Sequence, residues 1–306
     1  MEPVTETRAS PDSLLIAHCS LLRKLRVMLG MIKVEHTVFA LPFALTAAVV
    51  AAEGIPEWRV LGWILVAMVG ARSAAMGFNR IADLRYDAEN PRTAERALPR
   101  GLVSLAEAWA FVVVSAGVFV LAAGMLNRLA LALSPVALVV ILGYSYTKRF
   151  TSWSHLILGL CLGIAPVGAW IAVRGAFALA PIVLAACVTL WTAGFDIIYS
   201  LQDLEFDRKA GLFSLPKALG EARALLVSRL AHAAMFGLLV WFGVLSGMGA
   251  IYYVGLGLVA LFLIYEHSLV SPTDISRVNT AFFTVNGFVS VGFFVFAVVD
   301  VLLRNH

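Results

Sequence analysis

Charge is scarce in this 306-residue chain. Only 14% of positions are Asp, Glu, Lys or Arg, while 61% are hydrophobic and mean hydropathy is +0.90. Soluble domains carry about a quarter charged residues, so an ordinary water-soluble enzyme is excluded. Cysteine is also sparse. Cys19, Cys161 and Cys187 stand far apart, which excludes a disulfide framework, a thiolate metal site or a paired redox motif, and they read as small packing residues. Net charge is +4, but the basic residues gather in loops, so no nucleic-acid surface is implied.

What is present is long apolar runs. Windows of about 20 residues predict helices at 36–55, 60–80, 105–125, 130–147, 155–173, 179–200, 225–246, 249–267 and 278–303. The expected fold is therefore all-α, an integral membrane bundle of nine transmembrane helices around a central cavity. Residues 1–30 hold only a short apolar run before Arg23, Lys24 and Arg26, which reads as an interfacial segment rather than a cleaved leader; residues 31–306 form one domain. Most loop arginines and lysines fall on the side of the N-terminus, with Arg59, Arg128, Arg174 and Arg304 opposite. The positive-inside rule then places the N-terminus in the cytoplasm of a multi-pass cell-membrane protein.

Within those apolar runs lie two acidic clusters, Asn79-x-x-x-Asp83-x-x-x-Asp87 and Asp196-x-x-Tyr199-x-x-x-Asp203-x-x-x-Asp207. Carboxylates four apart share a helix face and repel one another. Hard oxygens outside a closed loop suit Mg²⁺, which shares its shell with waters and substrate phosphates. Two clusters suggest a diphosphate held between two sets of metal ions. The surroundings repeat as well: Gly77-Phe78-Asn79 is echoed by Gly194-Phe195-Asp196, and Leu98-Pro99-Arg100 by Leu215-Pro216-Lys217. Four helices fit between the copies, so both clusters open on the cytoplasmic face, in a parallel repeat.

With these motifs the chain resembles the UbiA superfamily of membrane prenyltransferases, in particular 4-hydroxybenzoate polyprenyltransferases, from Asn79 to Gly101, Tyr144 to Lys148 and Asp196 to Gly220. Arg80 departs from the pattern, since many members carry Asp there. The resemblance implies transfer of a polyprenyl group from a polyprenyl diphosphate to an aromatic acid acceptor in respiratory quinone synthesis. It assigns Asn79, Asp83 and Asp87 to one Mg²⁺, and Asp203 and Asp207 to another. Tyr144 and Lys148, four positions apart and so expected on one helix face, would face the allylic carbon and the diphosphate respectively. Arg92, Arg96, Arg100, Lys209 and Lys217 resemble the family's diphosphate-side cations, and Arg149 either joins them or serves only as a positive-inside residue.

Arg72 lies seven residues before Asn79, inside a span where an arginine is expensive. It needs an anion, either the carboxylate of the acceptor, as the resemblance implies, or Asp196 on the repeat partner. Asp196 with Tyr199 either orients and deprotonates the acceptor hydroxyl or stands behind a metal ion. His155, His232, His267, Glu266 and Asn286 have no patterned partner and read as packing or headgroup contacts; Lys33 and His36 begin the first helix. The apolar tail should leave sideways into membrane lipid. A dihydroxynaphthoate prenyltransferase is the alternative acceptor reading. An ion-coupled transporter would place its acids near the midplane on inverted repeats, and a silent quinone-binding subunit has no need of both clusters.

Overall fold

The computed structural model describes residues 37–304 together with Val27 and Gly30. The expected interfacial segment, Cys19, Lys33 and His36 lie outside the described residues. Among the described residues, apolar helices lie at the expected places: α1 (Thr37–Ala52), α2 (Trp58–Ala82), α4 (Leu105–Leu126), α5 (Arg128–Gly143), α6 (Ser154–Arg174), α7 (Leu179–Ser200), α10 (Glu221–Leu245), α11 (Ala250–Ser268) and α12 (Asn286–Arg304). Between them stand three short helices, α3 (Leu84–Glu89), α8 (Leu204–Lys209) and α9 (Leu215–Leu219). Among the described residues eight spans are long and apolar enough to cross a membrane, that of α5 running on to Arg149. The ninth, α1, has 16 described residues, short of the roughly 20 a span requires.

Local chemistry sets the helix ends. Ser104 and Glu107 form a capping box at the start of α4, with Ser104 Oγ accepting from the Glu107 N–H at 3.2 Å. Asn127 caps α5 by accepting from the Ala130 N–H at 2.9 Å. α6 stops at Gly175, whose φ of 66° only glycine adopts freely.

α7 is the most buried span and forms the hub. It packs on α6 and α10, α2 packs on α4, and α1 packs on α6 and α12. Valines and leucines on α4 and α5, such as Val113, Val114, Leu121 and Val139, remain exposed, as lipid-facing surfaces do. The core is an aromatic column: Phe43 stacks on Phe293 at 4.9 Å, Trp191 meets Phe195 edge-on at 5.0 Å, and Phe195 meets Phe282 at 5.1 Å. The column ends at Tyr199, whose ring lies 4.1 Å from that of Phe282.

The polar residues that had no visible partner in the sequence are partnered in space. Trp191 Nε1 donates to Asn286 at 2.7 Å, and Asn286 donates to Glu266 at 2.9 Å. His232 Nδ1 lies 3.0 Å from His267 Nε2 and 3.7 Å from Glu266. Asn286 also donates to the Ala281 carbonyl at 3.0 Å, supporting the π-turn Thr280–Val285 that leads into α12. The expectation of local packing or headgroup contact is corrected: helices far apart in sequence converge on one internal network, as buried polar groups require.

Candidate active site

Both aspartate motifs sit where a long helix breaks. α2 ends at Ala82, and Asp83 has φ −95° and ψ 8° before α3 resumes. α7 ends at Ser200, a 3₁₀ turn covers Leu201–Asp203, and Asp203 has φ −98° and ψ 1° before α8. The two central carboxylates therefore share the bridge conformation, where many active-site residues are found. Asn79 and Asp196 are 117 positions apart, Asp83 and Asp203 120; the extra three residues are that 3₁₀ turn. The repeat extends to packing. A side chain at Gly77 would strike Phe111 and Val112 of α4, and one at Gly194 would strike the His232 ring on α10, so small residues let each motif helix approach its neighbour.

Arginines from the loop after α3 hold the carboxylates. Arg92 grips Asp203 with Nε to Oδ1 at 2.9 Å and Nη2 to Oδ2 at 2.6 Å, and Asn90 adds a donor at 3.4 Å. Burial lowers the Arg92 pKa, yet the hydrogen bond and charge of Asp203 outweigh it and the net shift is upward. Arg92 also donates to the Tyr199 hydroxyl at 3.1 Å. Arg96 Nη1 reaches both oxygens of Asp87, at 2.6 and 2.7 Å, and the buried Arg80 stands 3.9 Å from the same group. Asp83 accepts from Asn79 at 2.8 Å, with Arg149 at 3.6 Å. Its pKa is raised by burial and then by the neighbouring Asp87.

Tyr144 to Arg149 forms a 3₁₀ helix rather than α-helix. At about three residues per turn, positions four apart no longer eclipse, so the expected common face of Tyr144 and Lys148 is corrected to a rotation of roughly a third of a turn. Both still meet the acidic groups: Tyr144 lies in the field of Asp196 and Asp83, and Lys148 in that of Asp207, Asp196, Asp203 and Asp83. The Lys148 carbonyl accepts from the Phe213 N–H at 2.7 Å, which folds the segment after α8 back over this turn.

Several expected cations have other work. Arg149 donates to the Ala82 carbonyl and stacks over Tyr146 and Tyr86 at 4.7 and 5.4 Å, so it caps the break in α2. Lys217 holds the Asp207 and Leu212 carbonyls at 3.1 and 2.6 Å. Arg100 pairs with Glu95 at 3.0 Å on the surface, and Lys209 is exposed on α8. Arg72 is half-buried in α2. Its alternative pairing with Asp196 is not adopted: Asp196 Oδ2 lies 2.7 Å from Nδ1 of His155, a residue that sequence spacing could not connect to it across 41 positions.

The donor set suits Mg²⁺. Among the described residues no three carboxylates or imidazoles converge enough to hold an ion unaided, which matches a metal that takes one or two carboxylates and completes its shell with waters and diphosphate. Asp207 Oδ2 and Ser214 Oγ are buried beside each other, and the hydroxyl favours the ionised carboxylate. A buried carboxylate kept ionised in this way is a hard-oxygen donor of the kind Mg²⁺ takes.

Residues 40–291 match the UbiA prenyltransferase family. Among similar proteins, the 4-hydroxybenzoate octaprenyltransferase of Nitrosococcus oceani is 32% identical over 80% of this chain and 85% of its own; that of Aliivibrio fischeri is 30% identical over 79% and 84%. The apo structure of a UbiA homologue from Aeropyrum pernix K1 superposes with a TM-score of 0.80 at 38% identity, over 88% of this chain and 99% of that one. A UbiA homologue from Archaeoglobus fulgidus, solved with GPP and Mg²⁺, shares the fold with a TM-score of 0.68 at 20% identity, over 89% and 99%. With its duplicated aspartate breaks inside a helical membrane bundle, this chain belongs to the UbiA prenyltransferase family.

Proposed function

We propose that the protein transfers a polyprenyl group from a polyprenyl diphosphate to a ring carbon of a hydroxylated aromatic acid of the 4-hydroxybenzoate type, at the cytoplasmic face of the cell membrane, in respiratory quinone biosynthesis. The observation that carries this reading is the pair of equivalent helix breaks at Asp83 and Asp203, each lined with acids and arginines. The names of the N. oceani and A. fischeri relatives support the acceptor. GPP and Mg²⁺ in the A. fulgidus homologue support the donor and the metal.

Asn79, Asp83 and Asp87 would hold one Mg²⁺ and Asp203 and Asp207 another, and the ions would neutralise the charge that builds on the leaving diphosphate. Arg92 and Arg96 turn from their carboxylates to the diphosphate, joined by Lys148 and by Lys209 at the mouth. Tyr144 offers its ring face to the allylic carbon as positive charge develops there. Arg72 clamps the acceptor carboxylate bidentately. Asp196 takes the hydroxyl proton, which makes the adjacent ring carbon nucleophilic, and Tyr199 steadies Arg92 beside it. The allylic C–O bond breaks with its electron pair remaining on the diphosphate, a C–C bond forms to the ring carbon, the ring proton passes to an oxygen of the departing diphosphate, and Asp196 returns its proton to the product hydroxyl. The apolar tail lies toward lipid throughout.

The test is a transfer assay with detergent-solubilised protein, a series of prenyl diphosphates, and 4-hydroxybenzoate paired against a dihydroxynaphthoate. Prenylated 4-hydroxybenzoate supports the reading. Product only from the naphthoate moves the acceptor assignment to menaquinone synthesis, and product from neither overturns it.

A further inference from the structure

His155 is fully buried in the first turn of α6. Its Nδ1 lies 2.7 Å from Oδ2 of Asp196, and its Nε2 lies 3.4 Å from the backbone nitrogen of Leu215. A backbone N–H can only donate, so Nε2 accepts and the ring proton resides on Nδ1, directed at the carboxylate. Asp196 keeps 16% of its side chain exposed while His155 keeps none. One carboxylate oxygen is thus anchored, and the other is open.

Leu215 begins α9, directly after the segment that follows Asp207. Two residues earlier, the Phe213 N–H donates to the Lys148 carbonyl at 2.7 Å. A single imidazole therefore joins the acid on α7 to the segment leading out of the second aspartate motif. An apolar residue would fill the same space between α6 and α7, but it could not direct the carboxylate.

We propose that His155 is a positioning residue, which aims Asp196 at the acceptor hydroxyl. The proposal rests on the role given to Asp196 above. Without the Nδ1–H donor, Asp196 loses its one fixed hydrogen bond, and packing alone sets its rotamer. The acceptor side of the site would then suffer while the diphosphate side remains intact.

Two conservative variants separate the contacts. His155→Asn keeps an amide N–H near the Nδ1 position and gives up the contact to Leu215. His155→Gln reaches the Nε2 position and gives up Asp196. For His155→Gln, kcat/KM for the acceptor should fall roughly tenfold to hundredfold, as expected for one charge-assisted bond. His155→Asn should lose far less, and the KM for prenyl diphosphate should be unchanged in both. The His155→Gln defect should shrink with an acceptor carrying an electron-withdrawing ring substituent, whose hydroxyl ionises more readily; a merely structural tie gives a defect independent of acceptor acidity. Asp196→Asn is measured in parallel. Wild-type turnover there removes the role of Asp196 and this proposal with it. Where Asp196→Asn is crippled but the two His155 variants lose activity equally, or not at all, the Asp196 reading stands and the proposal is overturned. Should His155→Gln not fold, His155→Asn decides: near wild-type acceptor kinetics support the proposal, and loss of acceptor turnover overturns it.

Discussion

Arg92 clasps Asp203 through two nitrogens, at 2.9 and 2.6 Å, across 111 residues of sequence. Arg96 reaches both oxygens of Asp87 through one nitrogen, Nη1, from nine residues away, at 2.6 and 2.7 Å. Each aspartate motif thus holds an internal cation where the mechanism calls for a metal, and both cations come from the loop after α3. Unpaired carboxylates at this depth would be costly. The guanidiniums offset that cost and stand ready beside the diphosphate site.

Arginine and metal should therefore compete. In Arg92→Ala, the protein without substrate should bind Mn²⁺ more tightly than wild type, because Asp203 is no longer occupied. The same variant should raise the KM for prenyl diphosphate about tenfold or more, as for loss of a charged hydrogen bond. Paramagnetic titration beside steady-state kinetics reads both effects. Weaker Mn²⁺ binding would contradict the exchange.

Asp83 should give the metal-free protein a characteristic pH dependence. Its carboxyl is raised by burial and then by Asp87, so the folded chain binds this proton at a higher pH than the unfolded chain does. Stability then rises as pH falls into the window between the two values, and is lost as pH rises through the folded value. Melting of metal-free, detergent-solubilised protein between about pH 4 and 7 should show this slope. Asp83→Asn should flatten it and melt higher near neutrality. A lower melting point for the variant would show that the ionised group stabilises the site.

Arg72→Ala should cut kcat/KM for the aromatic acid roughly tenfold to hundredfold and leave prenyl diphosphate kinetics unchanged. An acceptor lacking the carboxylate should show no such loss. Because Asp196 is held by His155, the substitution leaves no buried Asp196 charge unpaired. A large fall in melting with no discrimination between acceptors would make Arg72 structural.

The helices were legible because lipid imposes a length and an apolar composition on each span, and neither depends on partners. The aspartate clusters stood out because acids recur in register inside apolar runs. What the sequence hid was non-local. The break in α2 at Asp83 is capped by Arg149, which reaches the Ala82 carbonyl from 67 residues away. His155 meets Asp196 only because α6 packs on α7, and the chain from His232 to Asn286 spans three helices. The 3₁₀ winding at Tyr144 escaped notice because its residues carry no helix-breaking signal.

The most direct measurement of the central claim is prenyl transfer by wild type, Asp83→Asn and Asp203→Asn in proteoliposomes, with and without Mg²⁺ and excess chelator, each variant checked for wild-type folding. Wild type with Mg²⁺ should yield a C-prenylated aromatic acid, and turnover should fall to background in either variant or in chelator. Undiminished product from either variant, or from wild type stripped of divalent metal, would contradict it.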